Sequence, residues 1–349
     1  MRPGIFYLVV GPSGAGKDTL IDGARAALAA DPRWVFATRT ITRAADAGGE
    51  RHDAMDEDAF AARERAGGFL IVWSAHGHRY GLPAALADDV RAGRHVIANG
   101  SRGTIAALAA RVPRLVVIHV SARRDSLEGR IAGRGREQGD AIASRLERRV
   151  ELDLPDNVER VDVANDGTID EGVAHFVAAI AAAERRLRVI PYPIDTWRER
   201  IAYLPPGSIV GSADYLGPNR VEIESRGRRI LATVHVAGTE PSLAEDEIGL
   251  SRQAFDDLGA APGARADLRR ASAPASRDAL RAKLRGATLA EADYARVLRD
   301  VAEGRYPAGE VAAFLVSATR SLSDEEVVAL ARVRSTFMAP MRWDEPIVV

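Results

Sequence analysis

The chain has 349 residues, 46% of them hydrophobic, with a formal net charge of −1 and no cysteine. That length predicts two or three domains, and the missing cysteines exclude disulfides, thiolate nucleophiles and thiolate metal sites. The near-neutral charge gives no reason to expect nucleic acid or an anionic membrane as partner; no run reaches the roughly 18 apolar residues of a spanning helix, and no cleavage site follows the N-terminus, so a cytoplasmic protein is expected.

In the first part of the chain, to about residue 190, short β-branched apolar runs alternate with longer helical patterns. This is the signature of a parallel sheet with crossover helices, a doubly wound α/β domain. The expected strands are 6–10, 34–37, 69–73, 95–98, 115–120 and 161–164, and the expected helices 18–29, 84–91, 124–132, 140–152 and 170–187. Beyond Pro191-Tyr192-Pro193 the texture changes. From 196 to about 270 short strands are broken by Gly and Pro, the clearest at 208–210, 221–224 and 229–236, with a hairpin around Gly227. Residues 265–276, rich in Ala, Ser, Arg and Pro, read as a linker. Helices follow at 277–284, 289–303, 308–321 and 324–337, the last opened by a capping box of Ser323 with Glu326.

Gly11-Pro12-Ser13-Gly14-Ala15-Gly16-Lys17 lies directly after the first strand and directly before an amphipathic helix. In that context glycines permit positive φ and close backbone approach, so successive N–H groups and the helix N-terminus can surround a polyphosphate. Lys17 would reach the β- and γ-phosphates as a point charge. Only Lys17 and Lys283 among the 48 basic residues are lysine, which makes a lysine at this position chemically pointed, while Lys283 reads as a helix-surface charge. The position after Lys17, where the motif has Ser or Thr for magnesium, is Asp18, followed by Thr19. A carboxylate can hold magnesium directly or through water; Asp18 is the metal residue expected here, with the Thr19 hydroxyl as the alternative direct ligand.

Arg134 and Arg136 flank a glycine, and Arg145 is placed to join them. Arginines delivered by a closing lid stabilise the charge of a phosphoryl-transfer transition state and exclude water. Between loop and lid come Arg39-Thr40-Ile41-Thr42-Arg43, Gly49-Glu50-Arg51-His52, His76-Gly77-His78-Arg79-Tyr80-Gly81 and Asn99-Gly100-Ser101-Arg102. Arginines and a tyrosine at strand ends suit an anionic acceptor. The three histidines His52, His76 and His78 find no third ligand at sensible spacing, so zinc is not expected.

Together these residues resemble the guanylate-kinase superfamily and, within it, the ribose 1,5-bisphosphate phosphokinases. The resemblance covers residues 5 to about 187 and rests on Gly11 to Asp18, Ile41-Thr42-Arg43, Gly49-Glu50-Arg51-His52, Tyr80-Gly81, Asn99 to Arg102, Arg134-Gly135-Arg136-Glu137, Arg145-Leu146 and Asn165-Asp166-Gly167. Guanylate kinases typically carry Ser-Thr where this chain has Asp18-Thr19. They have a second phosphate arginine where Asp46 stands, a base-reading carboxylate where Ala98, Asn99 and Gly100 stand, and Thr at Leu82. A guanine site without its acidic acceptor leaves buried N–H groups unpaired.

The resemblance therefore implies a P-loop, guanylate-kinase-like kinase domain over 1–190. It implies ATP and Mg2+ as cofactors, and transfer of the γ-phosphoryl group to the 1-phosphate of α-D-ribose 1,5-bisphosphate, giving 5-phospho-α-D-ribose 1-diphosphate and ADP. It implies Lys17, Arg134, Arg136 and Arg145 as catalytic, Gly11 to Thr19 as the ATP loop, and Arg43, Tyr80, Asn99 and Arg102 as acceptor ligands. A nucleoside-monophosphate kinase and a non-catalytic module are the alternatives.

From about 196 onward the chain is similar to the N-terminal part of thymidine phosphorylase and archaeal AMP phosphorylase. The matching pieces are Glu247 to Ser251, Arg281 to Gly286, Tyr306 to Ala318 and Leu322 to Glu326. That likeness implies a small β-rich domain at 196–270 and a helical segment at 277–349 carrying a homodimer contact through 277–337, ending before the phosphorylase phosphate loop.

Overall fold

The computed structural model describes residues 2–43, 52–123, 154–155, 157–197, 199–211, 220–238 and 242–338. The chain divides into two units, Met1–Arg185 and Arg186–Val349. Among the described residues no helix is long and apolar enough to cross a membrane.

The first unit is built on β1 (Phe6–Val10), α1 (Lys17–Ala27), β2 (Trp34–Phe36), β3 (Thr40–Ile41), β4 (Asp53–Ala54), α2 (Glu57–Arg65), β5 (Phe69–Ala75), β6 (His78–Pro83), α3 (Ala85–Arg91), β7 (His95–Asn99), α4 (Ile105–Ala109), β8 (Leu115–Ser121), β9 (Glu159–Ala164) and α5 (Ile169–Glu184). Five strands form a sheet in the order β2-β7-β1-β8-β9, every pair parallel. All five residues of β1 are buried because the sheet is covered on both faces. Phe6, Leu8 and Val10 enter one core cluster, and Tyr7 and Val9 enter the other, the period-2 alternation of a strand sandwiched between two layers. On the second face α1 meets α5 closely: a Cβ at Gly23 would stand 2.3 Å from Val173.

One expected strand belongs elsewhere. Residues 69–75 pair antiparallel with β6 in a separate four-stranded sheet of order β4-β3-β6-β5. The reason is local: Ala75 pairs with His78, and the intervening His76 and Gly77 both have positive φ, 51° and 75°. A two-residue turn of that hand imposes an antiparallel hairpin, whereas a parallel neighbour would need a crossover. The helices expected at 124–132 and 140–152 lie outside the described residues.

The second unit begins with a closed six-stranded barrel of β10 (Leu187–Pro191), β11 (Ile201–Leu204), β12 (Arg220–Ser225), β13 (Arg228–Val236), β14 (Glu247–Leu250) and β15 (Arg265–Arg270), in the order β10-β14-β11-β13-β12-β15. Alternate residues such as Val221, Ile223, Ala232 and Val234 fill its interior. The expected hairpin is present, with Arg226 and Gly227 as its two turn residues at φ 49° and 79°. Two sequence expectations are corrected. Residues 208–210 lie in a turn closed by the Gly211 N–H on the Ser208 carbonyl. Residues 265–270, read as linker, are β15, which pairs with β10 and β12. Its inward residues are only Ala266 and a partly buried Leu268 among charged neighbours, too short an apolar alternation to betray a strand.

Helix α6 (Arg252–Leu258) packs on the barrel, and α7 (Arg277–Leu284), α8 (Glu291–Ala302), α9 (Ala308–Ser321) and α10 (Asp324–Thr336) follow. The Ser323/Glu326 capping box opens α10. Lys283 is not a surface charge: its side chain is fully buried, with Nζ 2.8 Å from both carboxylate oxygens of Glu326.

Candidate active site

After Val10 the chain must turn at once from a buried strand into α1. Gly11 passes so close to the neighbouring strand that a Cβ would lie 2.2 Å from the Val120 carbonyl oxygen. Gly14 and Gly16 adopt φ of 84° and 86°, a region that residues with a Cβ resist. Gly16 is the N-cap of α1, and no side chain caps it. The first-turn N–H groups and the positive end of the helix dipole therefore lie at the loop without a protein anion from the cap. Lys17 Nζ donates to the carbonyl oxygens of Gly11 and Pro12, each at 2.9 Å, which folds its ammonium back over the loop.

The loop is anchored from far along the chain. Ala15 is buried, and its carbonyl accepts a 2.8 Å hydrogen bond from Nδ2 of Asn165, the buried residue just after β9. Gly172 makes room for that amide; a Cβ there would stand 2.5 Å from Asn165 Oδ1. Asp166 accepts from the Arg123 N–H at 2.5 Å, and Thr168 with Glu171 forms a capping box on α5.

Parallel pairing puts Val9 of β1 beside Asn99 of β7. Both strands therefore deliver their following residues to the same sheet edge, the usual place for a ligand in such a sheet. There Asn99 Nδ2 donates to Asp18 Oδ1 at 2.6 Å, so an expected acceptor ligand and the expected magnesium residue are held together. Thr19 is exposed on the first turn of α1. Arg102 opens a one-turn 3-10 helix, Arg102–Thr104, whose cap is Ser101.

The small sheet supplies a second wall. Trp73 pairs with Tyr80, and Tyr80 with Ile41, across three strands. Tyr80 is buried and stacks on Trp73 at 5.3 Å and 10°. The Arg39 guanidinium carbon lies 5.6 Å from the centre of the Tyr80 ring, within cation–π range. Burial pushes the Arg39 guanidinium below its ordinary value; the carboxylate of Asp18 and the phenol of Tyr80 act against the fall, and Arg43 adds to it. Those four side chains therefore share one electrostatic neighbourhood. Arg43 approaches His52 Nδ1 at 3.4 Å, and His52 Nε2 meets the Arg43 carbonyl at 3.3 Å. Arg43 Nε is buried with no hydrogen-bond partner among the described residues. His78 Nδ1 meets the Thr42 carbonyl at 2.9 Å.

Of the expected site residues, the structure brings Asp18 and Asn99 into contact and places Tyr80 and Arg43 on one wall. Arg134, Arg136 and Arg145 lie outside the described residues. Arg39 was not singled out from its stretch, though the spacing Arg39, Ile41, Arg43 puts all three on one face of a strand.

A parallel sheet whose first strand runs into a glycine-rich loop, a lysine and an uncapped helix defines a phosphotransferase of the P-loop kinase class. Known proteins narrow the class. A ribose 1,5-bisphosphate phosphokinase from Methylobacterium radiotolerans is 44% identical over 182 residues, covering 52% of this chain and 99% of that protein. One from Agrobacterium fabrum is 46% identical over 164 residues, covering 47% of this chain and 89% of that one. Through the region they cover, the chain belongs to the ribose 1,5-bisphosphate phosphokinase family. A bifunctional ribose 1,5-bisphosphokinase-thymidine phosphorylase from Azorhizobium caulinodans is 53% identical over 350 residues, covering 100% of this chain and 50% of that protein. The chain thus spans about half the length of that bifunctional relative. The glycosyl transferase family helical bundle domain matches residues 277–335.

Proposed function

We propose that this chain moves the γ-phosphoryl group of ATP onto the 1-phosphate of α-D-ribose 1,5-bisphosphate, yielding 5-phospho-α-D-ribose 1-diphosphate and ADP. A 1-phosphate oxygen forms the new bond to the γ-phosphorus while the bond from that phosphorus to the β–γ bridging oxygen breaks. The acceptor is already an anion, so no general base is required; positioning and charge neutralisation supply the rate. Gly11 to Thr19 hold the triphosphate, and Lys17 with Arg134, Arg136 and Arg145 bears the transferring group. Asp18 carries magnesium, directly or through water; when bound, magnesium neutralises charge on the β- and γ-oxygens. Arg43, Tyr80, Asn99 and Arg102 receive the acceptor.

The observation that carries this reading is the hydrogen bond from Asn99 to Asp18. The position where guanylate kinases read the base is occupied by an amide that serves the phosphate loop, and its neighbour Ala98 is buried in the core. That position carries no carboxylate of its own to read a purine, whereas a sugar phosphate needs none. The names of the relatives support the same acceptor. ADP release from the full chain with ribose 1,5-bisphosphate and with GMP tests the reading. Turnover is expected with the first, and faster release with GMP overturns it. Exposed Leu315, Val316, Val327 and Val328 on α9 and α10 support the expected contact between copies through 277–337, which sedimentation velocity checks.

A further inference from the structure

The wall made by Trp73, Tyr80 and Ile41 is flanked by two guanidinium groups. Ile41 sits directly opposite Tyr80 in the antiparallel register, so Arg39 and Arg43, two residues to either side, take the diagonal positions on the same face. Like charges set on one half-buried face repel unless an anion lies between them. The Arg43 Nε donor is buried and unpartnered among the described residues. The Arg39 guanidinium lies over the Tyr80 ring and feels the carboxylate of Asp18, which Asn99 holds on the first turn of α1 behind the phosphate loop; the acceptor's 1-phosphate must reach that loop for in-line transfer.

We propose that Arg39 is a direct ligand of the acceptor's phosphate, sharing it with Arg43 beside the Tyr80 ring, and that this paired-guanidinium seat fixes the specificity of the site for a phosphate monoester carried on a sugar. Two planar forks offer parallel N–H pairs to a tetrahedral dianion, which one arginine cannot saturate. The seat needs no contact with a base, so recognition rests on the phosphate and its carrier. The proposal rests on the reading above for the identity of the acceptor.

Isothermal titration of the full chain with α-D-ribose 1-phosphate, which carries the phosphate that receives the transfer, and separately with magnesium ADP, tests it without turnover. Arg39→Gln is expected to weaken ribose 1-phosphate by roughly 10- to 100-fold, with ADP affinity held within about twofold as the control for folding. Arg39→Lys, which keeps the charge and loses the fork, is expected to fall between. In steady state the acceptor KM rises while the ATP KM holds. Unchanged ribose 1-phosphate binding, an equal loss for both ligands in both variants, or wild-type protein that does not bind ribose 1-phosphate overturns the proposal. Wild-type protein that binds ribose 1-phosphate through Arg39 yet turns over no ribose 1,5-bisphosphate sinks the proposed reaction and leaves the seat standing.

Discussion

The two lysines of this chain occupy regions with opposite hydrogen-bonding character. At the phosphate loop, Lys17 rests on two backbone carbonyls and the helix behind it has no side-chain cap, while on the small sheet of the same unit an Arg43 nitrogen is buried without a partner among the described residues. In the helical segment of the second unit, Lys283 is locked. Its ammonium meets both oxygens of Glu326 and the Ser321 carbonyl, and Glu326 also accepts from the Leu289 and Ser323 N–H groups and the Tyr294 hydroxyl. A buried charge whose network closes on itself holds structure, whereas a helix N-terminus without a side-chain cap and an unpartnered arginine nitrogen suit a ligand.

That contrast is sharpest under substitution. Lys17→Ala should lower ADP release by on the order of 10³-fold or more while thermal melting of the chain hardly moves; an unaffected rate removes the assignment. Lys283→Ala should do the reverse, destabilising the second unit by roughly 3–5 kcal/mol through an uncompensated buried carboxylate, with kinase turnover retained. Denaturant titration measures it, and a loss below about 1 kcal/mol, typical of an exposed pair, would show that the network is not closed.

The same pair sets an acid limit. Burial alone would raise the Glu326 pKa, but Lys283, the Leu289 and Ser323 N–H groups and Tyr294 overcome it and draw the value from 4.5 to about 2. A depressed folded-state value means the stabilisation is fully present above pH 4.5 and is lost as pH falls toward 2. Melting of wild type should therefore be steady from neutral pH down and decline below that point, with a shallower decline in Glu326→Gln; equal slopes would refute the link. The smallest expected effect is at the anchor of the open region. Asn165→Ala should cost roughly 1–2 kcal/mol, from one buried hydrogen bond, and weaken ATP binding by about tenfold through a loosened loop. Unchanged ATP binding would show that the loop holds its shape without Asn165.

Much of the site was legible because its signals are contiguous. The loop at 11–17, the strand before it and the helix after it lie within about twenty residues, and at Gly14 and Gly16 local sterics favour glycine because φ is positive there. The capping box at Ser323 and the hairpin turn at Gly227 were legible for the same reason. The partition of strands between two sheets was not, because the turn at His76 and Gly77 reverses a run whose composition fits either sheet. Nor was β15, whose inward Ala266 and Leu268 make only two apolar positions among charged residues.

By itself, then, the sequence determined the phosphate loop, the alternation of strands and helices that supports it, and the family. Only the tertiary structure decided what individual polar side chains are for. Asn165 finds its carbonyl 150 residues away, Asn99 its carboxylate 81 away, and Lys283 its partner 43 away. The Arg39 guanidinium meets the Tyr80 ring only when β3 aligns with β6. Propensity and motif act over a few residues, whereas the satisfaction of a buried charge depends on whichever distant groups the fold brings within hydrogen-bond reach.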